Sequence, residues 1–380
     1  MYENLSIQRF RGLKNLTIDR LAQINLLIGK NGAGKSTVLE ALWLHSNPTQ
    51  SLITRVDLFR TFSWETQGIS RAILPWRHLF YGYEVQEPIT ISGQANSRTW
   101  TVRVRQATEA DVAAFVQKNL STLQASFLGS IPTNQIDSSD KLNVSQSKDT
   151  LNPLNVGRPS LLLVEFQAED GEQNVTGMIT TAGGILSASP VSNDPIILAA
   201  LLTPATRYVD ETVVRFGRID QENKLERVLK FVCILEPGLK RLSAIPRSGG
   251  GTNIFADIGQ KELVPVQLMG GGFLSILAFA ILTADLEGGL ILIDEIENGV
   301  HYSALKALWK GFYELCLETG AQVIATTHSL ECIEAARAVI PEEAFLVHRI
   351  DRNMKSGRVR VESLDAGMLQ SASDMGLEVR

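Results

Sequence analysis

The residues with the most chemistry to offer lie in short runs far apart in the chain. The first is Gly29-Lys30-Asn31-Gly32-Ala33-Gly34-Lys35-Ser36-Thr37. Its glycines let successive backbone N–H groups turn inward around a polyphosphate, Lys35 brings a point charge to the β- and γ-phosphates, and Ser36 offers its hydroxyl to Mg2+. The second is Asp294-Glu295, at the end of the apolar run Leu290-Ile291-Leu292-Ile293. Asp294 is expected to share the Mg2+ with Ser36, and Glu295 stands where a carboxylate can polarise a water. The third is His328, which follows the apolar run from Ala321 and is expected to hydrogen-bond the γ-phosphate and report its presence. Taken singly, these residues have plainer uses: a glycine turn, solvated acids at a strand end, a structural histidine. Together they predict binding and hydrolysis of ATP with Mg2+ as cofactor.

A fourth run, Gly270-Gly271-Gly272, opens an apolar helix that reaches Leu286. Glycines at a helix N-terminus make a second anion site, here without a lysine. One nucleotide needs one cradle, so the second is expected to receive the γ-phosphate of an ATP held by a partner subunit.

Elements that can position these residues are legible around them. Ile24 to Ile28 is apolar, and Val38, Leu39, Ala41 and Leu42 follow at helical spacing, so the first run is a strand, glycine loop and helix. Leu290 to Ile293 reads as a parallel strand buried on both faces, which delivers Asp294 to the carboxyl edge of the sheet where ligands bind in open α/β folds. The same reading brings His328 to that edge.

Leu5 and Ile7, then Leu16 and Ile18, alternate with polar neighbours about Arg11-Gly12, predicting two antiparallel strands. Strands are also expected over 83–104, with a turn at 92–97, and over 160–186. A helix is expected over 109–123, and a flexible loop over about 128–158, where Ser, Asn, Asp, Gln and Pro dominate. The helix stripe Leu305, Leu308, Trp309, Phe312, Leu315 and Cys316 reads as core. The last apolar runs, 345–350 and 358–361, read as edge strands. The fold class is therefore α/β: a mixed sheet flanked by helices, with an antiparallel β subdomain and an inserted middle segment. The division expected is 1–45 for an N-terminal lobe with the phosphate loop, 46–195 for a β-rich and helical insertion, and 196–380 for a C-terminal lobe.

Bulk composition excludes several classes. With 36 Lys+Arg against 41 Asp+Glu, the net charge of −5 makes no general case for nucleic-acid binding, although a local basic groove for DNA stays open. Cys233, Cys316 and Cys332 are far apart without a C-x-x-C pair, so neither a zinc site nor a disulfide framework is suggested. The N-terminus lacks a signal-peptide pattern, and the apolar stretch 273–286 is interrupted by Ser275, Thr283 and Asp285, too short and polar to span a bilayer. A soluble, cytoplasmic protein without a membrane partner is expected.

In the runs Phe10-Arg11-Gly12-Leu13, Gly29 to Thr37, Leu290 to His301 and Ala325 to Ser329, the chain resembles the ABC-type ATPases of chromosome maintenance and DNA repair. More narrowly, it is similar to the predicted ATPases related to the overcoming-lysogenisation-defect (OLD) family. The resemblance spans residues 5–40 and 260–335. It implies a P-loop NTPase fold of ABC type and a head-to-tail homodimer with two ATPs sandwiched between each phosphate loop and the opposite Gly270–Gly272 motif. It further implies Asp294 on magnesium, Glu295 as catalytic base, His328 as switch histidine and Arg11 as a nucleotide contact. Met269 stands where the family usually carries a serine. No Asp-x-Asp occurs, so the nuclease activity fused to some OLD relatives is not expected in this chain. A switch that controls a separate effector protein, a nuclease or toxin in phage defence or DNA repair, is then the expected function. A nucleotide-dependent DNA clamp with little hydrolysis is the alternative.

Overall fold

The computed structural model describes residues 1–48, 77–111, 160–181, 184–188, 196–204, 206, 210–234, 236–246, 251–353 and 357–365. The strands without hydrophobic alternation form its centre. These are β3 (Ile24–Ile28), β9 (Ala199–Leu202), β13 (Leu290–Ile293), β14 (Gln322–Thr326) and β15 (Phe345–Arg352), ordered β15-β3-β14-β13-β9 and all parallel, with β16 (Val359–Leu364) added antiparallel outside β15. Every residue of β3, β13 and β14 is buried, because the sheet is covered on both faces.

Successive side chains serve different cores. Ile24, Leu26, Ile28, Ile291, Ile293, Val323 and Ala325 point into one shared with Phe279, Trp309 and Phe312. That side carries α2 (Asp210–Gln221), α3 (Leu225–Val232), α4 (Gly271–Asp285), α5 (Leu305–Thr319) and α6 (Leu330–Arg337). Leu27, Leu292 and Ile324 point the other way, toward α1 (Lys35–Ser46) and a second sheet.

The second sheet has seven antiparallel strands, in the order β2-β1-β4-β5-β6-β7-β8. They are β1 (Tyr2–Phe10), β2 (Leu13–Ile18), β4 (Ile89–Ala95), β5 (Arg98–Gln106), β6 (Ser160–Ala168), β7 (Gln173–Thr181) and β8 (Gly184–Ala188). Burial alternates strictly along β4, as one covered face requires. Pressed between the two sheets, α1 is buried on nearly every side. A short sheet of β10 (Arg241–Pro246), β11 (Thr252–Asp257) and β12 (Val264–Pro265) completes the fold.

Three details differ from the sequence reading. The turn expected at 92–97 is confined to Asn96 and Ser97, both left-handed at φ 50° and 62°, because cross-strand pairing continues through Ala95↔Arg98. Of the two strands expected at an edge, only β16 lies there; β15 inserts beside β3, as its unbroken apolar start demands. Pairing of β1 with β4 makes one sheet from residues on both sides of the division drawn at 45/46. The loop expected at 128–158, and all but the first residues of the helix expected over 109–123, lie outside the described residues. Among those described, no helix is long and apolar enough to cross a membrane.

Candidate functional site

The phosphate loop is shaped by close approach as much as by glycine's freedom. Gly29 has φ +136°, and a Cβ there would lie 2.2 Å from the Ile350 carbonyl oxygen of β15. At Gly34, φ is +111° and a Cβ would meet Leu13 Cδ2 at 2.6 Å. Gly34 caps α1 without a side-chain hydrogen bond, so the first N–H groups of the helix stay available to an anion. Lys35 Nζ donates to the carbonyl oxygens of Gly29 (2.7 Å) and Lys30 (3.2 Å). Burial lowers its pKa, while Asp294, Glu295 and Glu297 oppose the loss of its proton. A cleft of about 260 Å³ opens here, lined by Ile28, Gly29, Lys30, Asn31, Thr327, His328 and Ile333.

Asp294 and His328 reach the same edge as that loop because β3, β14 and β13 are adjacent and parallel. Ser36 Oγ donates to Asp294 Oδ1 at 3.0 Å. Two hard oxygen donors so placed are the donor type Mg2+ takes, so the residues present fit that ion. Thr326 donates its hydroxyl to the same Asp294 oxygen (2.7 Å) and accepts the Glu295 N–H (2.8 Å). Glu295 itself has φ +54°, a left-handed conformation costly for a residue other than glycine and often found at functional sites. Asn298 Nδ2 donates to its Oε2 at 3.2 Å.

Beyond β14, the His328 side chain is exposed toward the cleft, and the backbone N–H of His328 donates to Glu297 Oε1 at 2.8 Å. Ser329 then caps α6, its Oγ accepting from Cys332 N–H at 3.1 Å.

Gly271 and Gly272 approach the turn after Glu295 instead, at Gly299. A Cβ on Gly272 would lie 2.2 Å from the Gly299 carbonyl oxygen, whereas one on Gly270 or Gly271 would meet nothing within 4 Å. Ser275 Oγ donates to Gly271 O (2.9 Å) and Asn298 O (3.3 Å). Leu268 and Tyr302, nearby in sequence to these glycines and this turn, are 76% and 70% exposed. Arg11 is left-handed at φ 50° and pairs with Glu40 of α1 at 2.8 Å, both side chains largely buried.

Sequence reasoning gave no role to Thr326 or Glu297, and Asn298 only a place, with the residues to His301, in the loop that the resemblance implies crosses the dimer axis. It also missed two polar braces behind the loop. On α1, buried His45 contacts Tyr2 Oη through Nδ1 (3.0 Å) and the Trp100 carbonyl through Nε2 (3.1 Å). The Tyr2 hydroxyl can donate to Nδ1, which leaves the Nε2–H to the carbonyl. On β3, Asn25 Oδ1 faces His348 Nε2 at 3.2 Å. A polar residue within an otherwise apolar strand, as Asn25 is, was the available signal.

The family model described as "AAA domain, putative AbiEii toxin, Type IV TA system" matches residues 125–334, and one described as "AAA ATPase domain" matches residues 1–75. The chain is 24% identical over 359 residues to an "ATP/GTP phosphatase" of Helicobacter pylori, covering 91% of this chain and 90% of that protein. It is 26% identical over 243 residues to the "Hemin import ATP-binding protein HmuV" of Shewanella denitrificans, covering 60% and 87%. Among solved structures, the SMC head bound to the C-terminal winged-helix domain of ScpA aligns at 15% identity and TM-score 0.46, covering 98% of this chain and 99% of that one. With the first model spanning more than half of its length, the chain belongs to that AAA-domain family of P-loop ATPases.

Proposed function

We propose that this ATPase is a dimeric switch in which ATP bridges two copies and its hydrolysis releases them. One observation carries the reading. The glycine loop with Lys35, the Ser36–Asp294 pair, Glu295 and His328 meet at one sheet edge, while Gly270 and Gly271 have no neighbour among the described residues where a Cβ would stand. In this reading Gly29 to Thr37 cradles the phosphates and Lys35 binds the β- and γ-phosphates. Ser36 and Asp294 would hold Mg2+, which when bound would offset charge on the phosphate oxygens. Glu295 accepts a proton from the water that attacks the γ-phosphorus, as the bond to the β–γ bridging oxygen breaks and ADP departs. His328 contacts the γ-phosphate, and the Gly270–Gly272 helix end of the second copy closes over it. Arg11, which pairs with Glu40 of α1, serves in this reading as a further contact to the nucleotide. The output passes to a separate effector protein, a nuclease or toxin in phage defence or DNA repair, in the manner the OLD-like resemblance implies.

Glu295→Gln tests the reading, since it removes the base and leaves the phosphate contacts. Expected are retained ATP binding, a fall in kcat of about 100-fold or more, and a dimer that accumulates with ATP and Mg2+ in light scattering. A variant that binds ATP and stays monomeric overturns the bridging; one that hydrolyses at the wild-type rate overturns the base.

A further inference from the structure

The loop after β13 carries a third carboxylate, Glu297, two residues beyond the proposed base. Its Oε1 accepts the backbone N–H of His328 at 2.8 Å across 31 residues of sequence. Its Oε2 is buried and has no hydrogen-bond partner among the described residues. The second of these facts runs against stability alone. A carboxylate oxygen taken from water without a partner is unfavourable, and Asp294 and Glu295 already place negative charge around Lys35.

What this arrangement accomplishes is visible at His328. Among the described residues its imidazole makes no hydrogen bond, and the ring is exposed at the cleft. Its place is therefore set by its backbone. The flanking residues are tied from other directions: Thr327 N–H to the Leu27 carbonyl (3.2 Å) and Ser329 N–H to Thr327 Oγ1 (3.1 Å). At His328 itself, the tie comes from the loop that bears Asp294 and Glu295. A charged acceptor on a backbone N–H is among the stronger hydrogen bonds, and Thr326 stitches the same two strand ends one step deeper.

We infer that Glu297 is a positioning residue for hydrolysis, whose carboxylate locks the His328 backbone to the Asp294-Glu295 loop so that base and histidine address one γ-phosphate together. The inference rests on the proposed role of His328 at the γ-phosphate. A lost tie lets the ring drift, and misplacement near 1 Å can lower a rate about 100-fold without changing the groups present.

Steady-state ATPase assays on the full chain test this, with Glu297→Ala, Glu297→Gln, His328→Ala and the Glu297→Ala/His328→Ala double variant. Binding of a fluorescent ATP analogue verifies that each variant is folded. Glu297→Ala should lower kcat about 10- to 100-fold with KM for ATP within about twofold of wild type. Glu297→Gln keeps a side-chain oxygen for the His328 N–H and should recover most of the rate. The double variant should be no slower than His328→Ala, because both changes remove one unit. A slow His328→Ala beside a wild-type Glu297→Ala overturns the Glu297 assignment alone. So do multiplied losses in the double variant, or a Glu297→Gln as slow as Glu297→Ala. A Glu297→Ala that no longer binds the analogue while Glu297→Gln does also overturns it, since the role would then be the fold. A wild-type rate in His328→Ala removes the reading of His328 and this inference with it.

Discussion

The phosphate loop and the Gly270–Gly272 run, proposed as a second cradle, have opposite surroundings. In the phosphate loop, Gly29 and Gly34 are hemmed in by the Ile350 carbonyl and Leu13, and both have positive φ. The loop's shape is thus imposed by its own chain before any nucleotide arrives. At the proposed second cradle Gly272 is pressed against the Gly299 carbonyl, while among the described residues nothing lies within 4 Å of a Cβ on Gly270 or Gly271. In the proposed dimer the first cradle is closed by its own chain, and the second is completed by the nucleotide of the other copy. Gly29 and Gly34 of the first cradle serve the fold, whereas no atom of the described residues lies within 4 Å of a Cβ on Gly271.

The sharpest way to break this contrast is Gly29→Ala. A Cβ 2.2 Å from a backbone oxygen at φ +136° forces β15 away from β3, and a loss of at least about 3 kcal/mol is expected. Chemical denaturation measures it; a stability near wild type would mean the loop is not built by this packing.

Acid should act on the same cradle. His45 braces α1, and His348 braces β3 through Asn25. Burial pushes the pKa of each down to about 4 from 6.5. Folded, each binds fewer protons than unfolded between those values, so stability is whole above pH 6.5 and falls as the pH drops toward 4. The loss approaches about 3 kcal/mol per histidine at the lower end. Denaturation midpoints across pH 7.5 to 4.5 check this, and a flat profile would remove the histidines as neutral braces.

Smaller effects separate the second cradle's own residues. Gly272→Ala should cost about 2 kcal/mol, because its neighbour is backbone that must shift. Gly271→Ala, at the start of α4 with open space around it, should leave stability unchanged or raise it by about 0.5 kcal/mol. Its cost should appear in ATP-dependent association, read by light scattering. If Gly271→Ala associates as wild type does, the second cradle is not a contact surface.

The sequence alone determined what depends on near neighbours. Gly29 to Thr37 between an apolar strand and a helical pattern already specifies a strand–loop–helix, because glycine placement and hydrophobic period act over a few residues. Leu290 to Ile293 and Gln322 to Thr326 announce strands covered on both faces for the same local reason, and with them the arrival of Asp294 and His328 at one edge. Tertiary structure alone decided which side chains meet there. Glu297 finds His328, Thr326 finds Asp294, and Gln322 bonds both the N–H and the carbonyl of Tyr2. Those pairings follow from strand order in a parallel sheet, where neighbours in space are separated by whole crossover connections. No periodicity records that order, so an ordinary-looking Glu297 in a loop could be placed only once β13 and β14 were side by side.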